Sequence, residues 1–178
     1  LSQSAKRRRA ARQERFPRAV TARPRIVILT GAGVSADSGV STFRDADGVW
    51  AKHDWRDVAT PEGFAADPAR VHSFYNARRE GLKTVAPNAA HVALARLEAA
   101  LGEALTLVTQ NVDDLHERAG STRVLHMHGE LLKARCTLCG AVHRWAGPLS
   151  LATRCPDCKG DGGMRPDVVW FGEIPRFM

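Results

Sequence analysis

No run of about 18 apolar residues occurs in the 178-residue chain. The apolar segments are short and cut by Gly, Pro or charge, which excludes a helical membrane span and removes the bilayer from the expected partners. The sequence also shows no secretory signal, no internal repeat, and no cysteine outside two C-x-x-C pairs. A disulfide scaffold of the extracellular kind is therefore disfavoured, and a reducing, cytoplasmic setting is the expectation. Acidic residues are almost missing from the start: residues 1–25 hold nine Lys and Arg against Glu14 alone, so this segment is +8 in a chain of net +7 and the rest sums to −1. The basic stretch, residues 1–24, reads as a disordered tail. Contact with nucleic acid or an anionic membrane surface, and an organelle-targeting role, stay open as alternatives.

What is present is enough for one domain with a small inserted module. "RIVILTG" is a β-branched and aliphatic run ended by Gly31, the pattern of a buried parallel strand entering a loop. "TPEGFAADPARVHSFYNARREG" is helical in pattern with a break at Pro68, and its apolar or aromatic positions are Phe64, Val71, Phe74 and Tyr75. "PNAAHVALARLEAALG" predicts a helix capped by Asn88, with Leu94, Leu97 and Leu101 on one face and Gly102 as its stop. "LTLVTQN", a short helix in "VDDLHERAG", and "RVLHMHG" then give strand, helix and strand. That order predicts an α/β fold with a doubly wound, Rossmann-like parallel sheet spanning 25–134 and resuming over 166–178, where "VVWFGE" reads as a fourth strand.

Between these parts, residues 135–165 have a different texture, rich in Gly and Pro. Cys136 and Cys139 are separated from Cys155 and Cys158 by a 15-residue gap, spacing that suits one four-thiolate Zn2+. With all four positions filled by protein, such an ion is structural, so the chemistry must come from elsewhere. Polar groups at strand ends supply candidates: "GAGVSADSGVSTFR" follows the first strand, Gln110, Asn111 and Asp113 the second, and His128 the third. Strand ends on one side of a parallel sheet converge, so these groups should face one another.

Together, "GAGVSADSGVSTFR", "TQNVDDLHERAGS", "HMHGEL", the paired C-x-x-C module and "VVWFGE" resemble the sirtuins, a family of NAD-dependent protein lysine deacylases, over about Arg25 to Pro175. The resemblance implies NAD as co-substrate. Gly31, Ala32 and Gly33 would approach its pyrophosphate, with Ser35 and Ser38 in the same loop and Phe43 and Arg44 beside the reacting ribose. Asn111 and Asp113 would line the nicotinamide pocket, Gln110 would lie near the ribose, and His128 would be the general base. Val169, Phe171 and Gly172 would border the channel for an acylated lysine of a protein substrate. The products implied are nicotinamide, free lysine and O-acyl-ADP-ribose.

Tyr75 and Arg78 stand at a Tyr-x-x-Arg spacing that resembles the sirtuin class acting on succinyl and malonyl groups, with acetyl also accommodated. Arg offers a planar fork to a carboxylate, and a Tyr three residues earlier shares its helix face. The chain departs from the family by ending at Met178, before a Gly-Thr-Ser loop and an Asn-x-Glu segment that bind the adenosine half of NAD in sirtuins. It reads on that ground as a truncated piece, expected to bind NAD weakly and turn over little alone. Two alternatives are mono-ADP-ribosyl transfer and a non-catalytic module whose cysteine knuckle contacts nucleic acid through Arg135, His143, Arg144, Trp145, Arg154 and Lys159.

Overall fold

The computed structural model describes residues 24–42 and 48–178. The expectations for the basic tail, and for Phe43 and Arg44, fall outside the described residues.

Three strands, β1 (Ile26–Thr30), β2 (Leu105–Thr109) and β3 (Val124–His126), form a parallel sheet in the order β1-β2-β3. Their register aligns Thr30 with Thr109 and Thr109 with His126, so all three chains leave the sheet at one level. The ladder continues one step beyond the strands: Gln110 N–H donates to the Thr30 carbonyl at 2.9 Å and Met127 N–H to the Thr109 carbonyl at 3.0 Å. This places the glycine loop, the Gln110–Asp113 segment and His128 side by side, as the sheet geometry predicts.

The first strand is parallel but not buried. Val27 and Leu29, which share one face of the strand, are 67% and 59% exposed, and β1 pairs with β2 on one edge only among the described residues. The second strand buries Leu105, Leu107 and Thr109 on alternate positions. The helix pattern after Thr60 resolves into α4 (Pro61–Ala66) and α5 (Pro68–Leu82). Thr60 and Asp67 cap them, accepting from Gly63 N–H and Arg70 N–H, and each helix carries its proline in the first turn, where the missing N–H costs nothing. Two short helices, α2 (Val49–Lys52) and α3 (Trp55–Val58), precede them, and a single turn, α1 (Gly33–Ala36), lies in the glycine loop.

Helix α6 (Ala89–Leu101) starts at Asn88 and ends at Gly102 as predicted, but its buried face is rotated from the leucine stripe. His91 and Glu98 are its buried residues, while Leu97 is exposed. Hydrogen bonds set this rotation. Asn88 donates to the Val34 carbonyl at 2.8 Å, the His91 ring lies against Ser35, and Glu98 accepts from the N–H and hydroxyl of Thr122. After α7 (Leu115–Arg118) and β3, a second sheet begins: β4 (Gly129–Cys136), β5 (Val142–Arg144) and β6 (Met164–Val168), antiparallel in the order β5-β4-β6.

The fourth strand read in "VVWFGE" is displaced. Strand β6 ends at Val168 and pairs with β4 in the small sheet, not with the parallel one. The residues after it turn because their amides are taken elsewhere: Val169 N–H by the His128 carbonyl, Trp170 N–H by Glu173, and Phe171 N–H by the Ala59 carbonyl. Val71, Phe74, Tyr75, Leu82, Leu131, Val168 and Trp170 bury a shared core where α5 meets the small sheet. Each large side chain buried there contributes about 1.5–3 kcal/mol.

Candidate functional site

The four cysteines converge as the spacing predicts. Their sulfur atoms all lie within 4.8 Å of one another, with Cys136 to Cys158 and Cys139 to Cys155 each at 3.7 Å. A disulfide requires about 2.05 Å; a tetrahedron with Zn–S bonds of about 2.3 Å has edges of about 3.8 Å. The donor set therefore fits one zinc ion and no disulfide. Backbone bonds build both knuckles: Gly140 N–H to the Cys136 carbonyl at 2.9 Å, and Lys159 N–H to the Cys155 carbonyl at 3.0 Å. Near the module, Arg135 pairs with Asp167 and Arg154 with Asp161, and the His143 ring lies 3.3 Å from Asp157.

The second centre lies at the ends of the parallel strands, around Ser35. Its buried hydroxyl donates to Asp113 Oδ2 at 3.0 Å and accepts from Asn111 Nδ2 at 2.9 Å. His91 Nδ1 accepts the Asn88 N–H at 3.2 Å, so the ring proton sits on Nε2, 3.4 Å from Ser35 Oγ. Burial lowers the His91 pKa, which keeps the ring in this neutral form, although Asp113 pulls the other way. Asp113 is held at its other oxygen by the Leu115 N–H at 3.2 Å. One serine thus fixes Asn111 and Asp113 from two directions. Ala32, Ser35, Asn111 and Asp113 line a cavity of about 550 Å3.

A neighbouring cavity of about 640 Å3 contains Ala32, Gly33, Gln110, Asn111 and His128, together with Tyr75, Arg78, Val169, Phe171 and Gly172. His128 Nδ1 lies 3.0 Å from the Gln110 carbonyl, which can only accept. Nδ1 is therefore the donor in this contact, and Nε2 is the ring nitrogen left to meet a ligand. Trp50, Phe74 and Phe171 form an aromatic wall, with Trp50 centred 6.3 Å from Phe74 and 6.0 Å from Phe171. Arg78 lines both cavities; its burial lowers its pKa, countered in part by Tyr75 and Asp113. Tyr75 is buried, which raises its phenol pKa to about 12 against the lowering effect of a hydrogen bond from Trp170.

Two residues of the predicted loop, Ser38 and Gly31, are not among the groups that line either cavity. Ser38 Oγ accepts from Asn88 Nδ2 at 3.0 Å and secures the cap of α6. Gly31 abuts Gln110, whose Oε1 lies 3.5 Å from where a Cβ would stand. Three site residues are not legible in the sequence reading: Trp50 of the aromatic wall, His91 and Trp170. His91 was hidden in a helix whose leucines suggested another face, although Asn88 three residues earlier marks a capping box. Trp170 stands inside "VVWFGE" between two residues assigned to the channel, and reads there as core.

The family model described as "Sir2 family" matches residues 31–177. An NAD-dependent protein deacylase of Caulobacter vibrioides is 61% identical over 157 residues, covering 86% of this chain and 66% of that protein. A Sir2 homologue solved as a mutant in complex with ADP-ribose superposes with a TM-score of 0.76 at 45% identity, over 84% of this chain and 60% of the other. A Sir2 protein solved with a deacetylated p53 peptide and 3′-O-acetyl ADP-ribose gives 0.67 at 33% identity, over 84% and 61%. The chain spans less than two thirds of the length of each.

Proposed function

The chain belongs to the Sir2 family, and we propose from that premise that it performs NAD-dependent removal of acyl groups from protein lysines, with a preference for acidic acyl groups such as succinyl and malonyl. The observation that carries this reading is the state of His128. Its Nδ1 proton is committed to the Gln110 carbonyl, which leaves Nε2 as a base in the cavity that Tyr75, Arg78 and Val169 also line.

NAD, when bound, would supply an electrophilic ribose carbon with nicotinamide as its leaving group, so that with one water consumed the acyl group would end on ADP-ribose and lysine would be freed. The protein's part is to orient, to exclude water and to move a proton. Asn111 and Asp113, fixed by Ser35, present an amide and a carboxylate to the nicotinamide carboxamide. Trp50, Phe74 and Phe171 shield the reacting centre from water. His128 Nε2 takes a proton from a ribose hydroxyl, the general-base role for which histidine is the commonest side chain. Val169, Phe171 and Gly172 border the path of the lysine chain. At its end the Arg78 guanidinium and the Tyr75 hydroxyl, one helical turn apart on α5, receive the acyl carboxylate. The setting we propose is cytoplasmic, supported by thiols spaced for a metal ion and not for disulfides.

The test is mass spectrometry of succinyl-lysine and acetyl-lysine peptides incubated with the protein and NAD, with His128→Ala as control. Loss of the acyl group, formation of O-acyl-ADP-ribose, faster reaction of the succinyl peptide and silence of the variant support the reading. ADP-ribose attached to the peptide would replace it with ADP-ribosyl transfer.

A further inference from the structure

We propose that Trp170 is a positioning residue for acyl specificity, its indole N–H holding the Tyr75 hydroxyl so that the phenol proton is directed at an acidic acyl group. The inference rests on the proposed preference for such groups. Trp170 Nε1 lies 2.9 Å from Tyr75 Oη across 95 residues of sequence, in a buried contact. An indole N–H can only donate, so the phenol oxygen must accept. A phenol proton prefers the plane of its ring, where it has two positions. With the indole N–H donating to the oxygen, the phenol proton turns away from the indole.

The indole is itself held on several sides. The Arg165 guanidinium lies 3.4 Å from its ring centroid, and Phe64 is centred 5.3 Å away. Glu173 ties the frame together: its carboxylate accepts from both Arg165 terminal nitrogens, at 2.7 and 2.9 Å, and from the Trp170 backbone N–H at 2.8 Å. Arg165 also donates to the Val168 carbonyl at 2.8 Å. An apolar core would fix a tyrosine ring equally well. What this frame adds is control over the direction of one hydroxyl. Buried as it is, the phenol stays protonated at working pH and acts as a donor.

The test is the affinity of labelled succinyl-lysine and acetyl-lysine peptides, read by fluorescence anisotropy without NAD, for the protein and its Trp170→Phe variant. Phenylalanine keeps the ring and removes the N–H. The expected result is a loss of about fivefold for the succinyl peptide, the size of one neutral hydrogen bond, with less than a twofold change for the acetyl peptide. In a Tyr75→Phe background the same substitution should have no further effect, because the group it positions is gone. If the smaller ring unsettles the fold, 3-benzothienylalanine at position 170 replaces the N–H with sulfur in the same shape and carries the same expectation. Equal losses for both peptides, or none for either, would overturn the positioning role. A wild-type protein that does not favour the succinyl peptide overturns the acidic-acyl reading itself, and this inference with it.

Discussion

The hydroxyl of Ser35 and the carboxylate of Asp113, 78 residues apart in sequence, are joined at 3.0 Å in the interior of the strand-end cleft. The same hydroxyl accepts from Asn111 and lies against His91, so a single side chain organises three others. Ser35→Ala should cost about 1–3 kcal/mol, since it leaves a buried carboxylate short of a donor. It should also raise KM for NAD more than it lowers melting temperature alone can explain. Steady-state kinetics at varied NAD beside a thermal melt checks both, and an unchanged KM would show that the network is structural only.

Arg78→Met should lower kcat/KM for a succinyl peptide by about 10- to 100-fold, the worth of a charge-assisted hydrogen bond of about 1.5–3 kcal/mol. The acetyl peptide has no carboxylate to lose and should change by less than about threefold. A parallel assay of both peptides decides the matter; equal losses would return Arg78 to a packing role.

Glu117 and His126 form a pair at 2.6 Å beneath the cleft. Burial opposes charge on both, yet their mutual bond prevails, raising His126 above its usual 6.5 and lowering Glu117 below its usual 4.5. The His126 contribution is complete below pH 6.5 and is lost as pH rises through its elevated folded value. The Glu117 contribution is complete above pH 4.5 and is lost as pH falls through its lowered folded value. Their joint support should peak between these limits. The difference in melting temperature between wild type and Glu117→Gln, followed from pH 4 to 9, should be largest in that window; a flat difference would dismiss the pair as a stabilising element.

Zinc removal should act on the small sheet first. A strong chelator, or Cys139→Ser, should release one equivalent of metal by elemental analysis and raise amide exchange over 133–165, with exchange in β2 and β3 changing later. Simultaneous loss of protection in both sheets would mean that the ion supports the whole fold.

Gly129 has φ of +79°, and the Asp167 carbonyl fills the space a Cβ would need. Gly129→Ala should therefore destabilise the chain by about 2 kcal/mol or more and slow turnover by moving the adjoining His128. Calorimetry with kinetics tests this; a neutral substitution would refute the constraint.

The strand-end groups and the four cysteines were legible because they depend on spacing and on a rule of sheet geometry that holds for any parallel sheet. The burial of β1 was not legible, because an apolar run reveals preference for an interior without revealing whether a neighbour supplies one. The leucine stripe of α6 misled in a similar way: hydrogen bonds at Asn88, His91 and Glu98 outweighed the apolar periodicity in setting the helix rotation. Trp170 escaped notice since its contribution is a direction, fixed by Glu173 and Arg165, and no residue type encodes a direction by itself.

The common level at which β1, β2 and β3 end gathers groups from distant stretches of the chain at one rim. His128 follows β3 and Ser35 follows β1, whereas Tyr75 and Arg78 sit on α5, within the long excursion between β1 and β2. The groups proposed to receive the acyl carboxylate and the proposed base thus come from separate stretches of chain that meet only in space. On the proposed function, substitutions at Tyr75 or Arg78 would change which acyl group is accepted while leaving His128 and the Ser35 network in place.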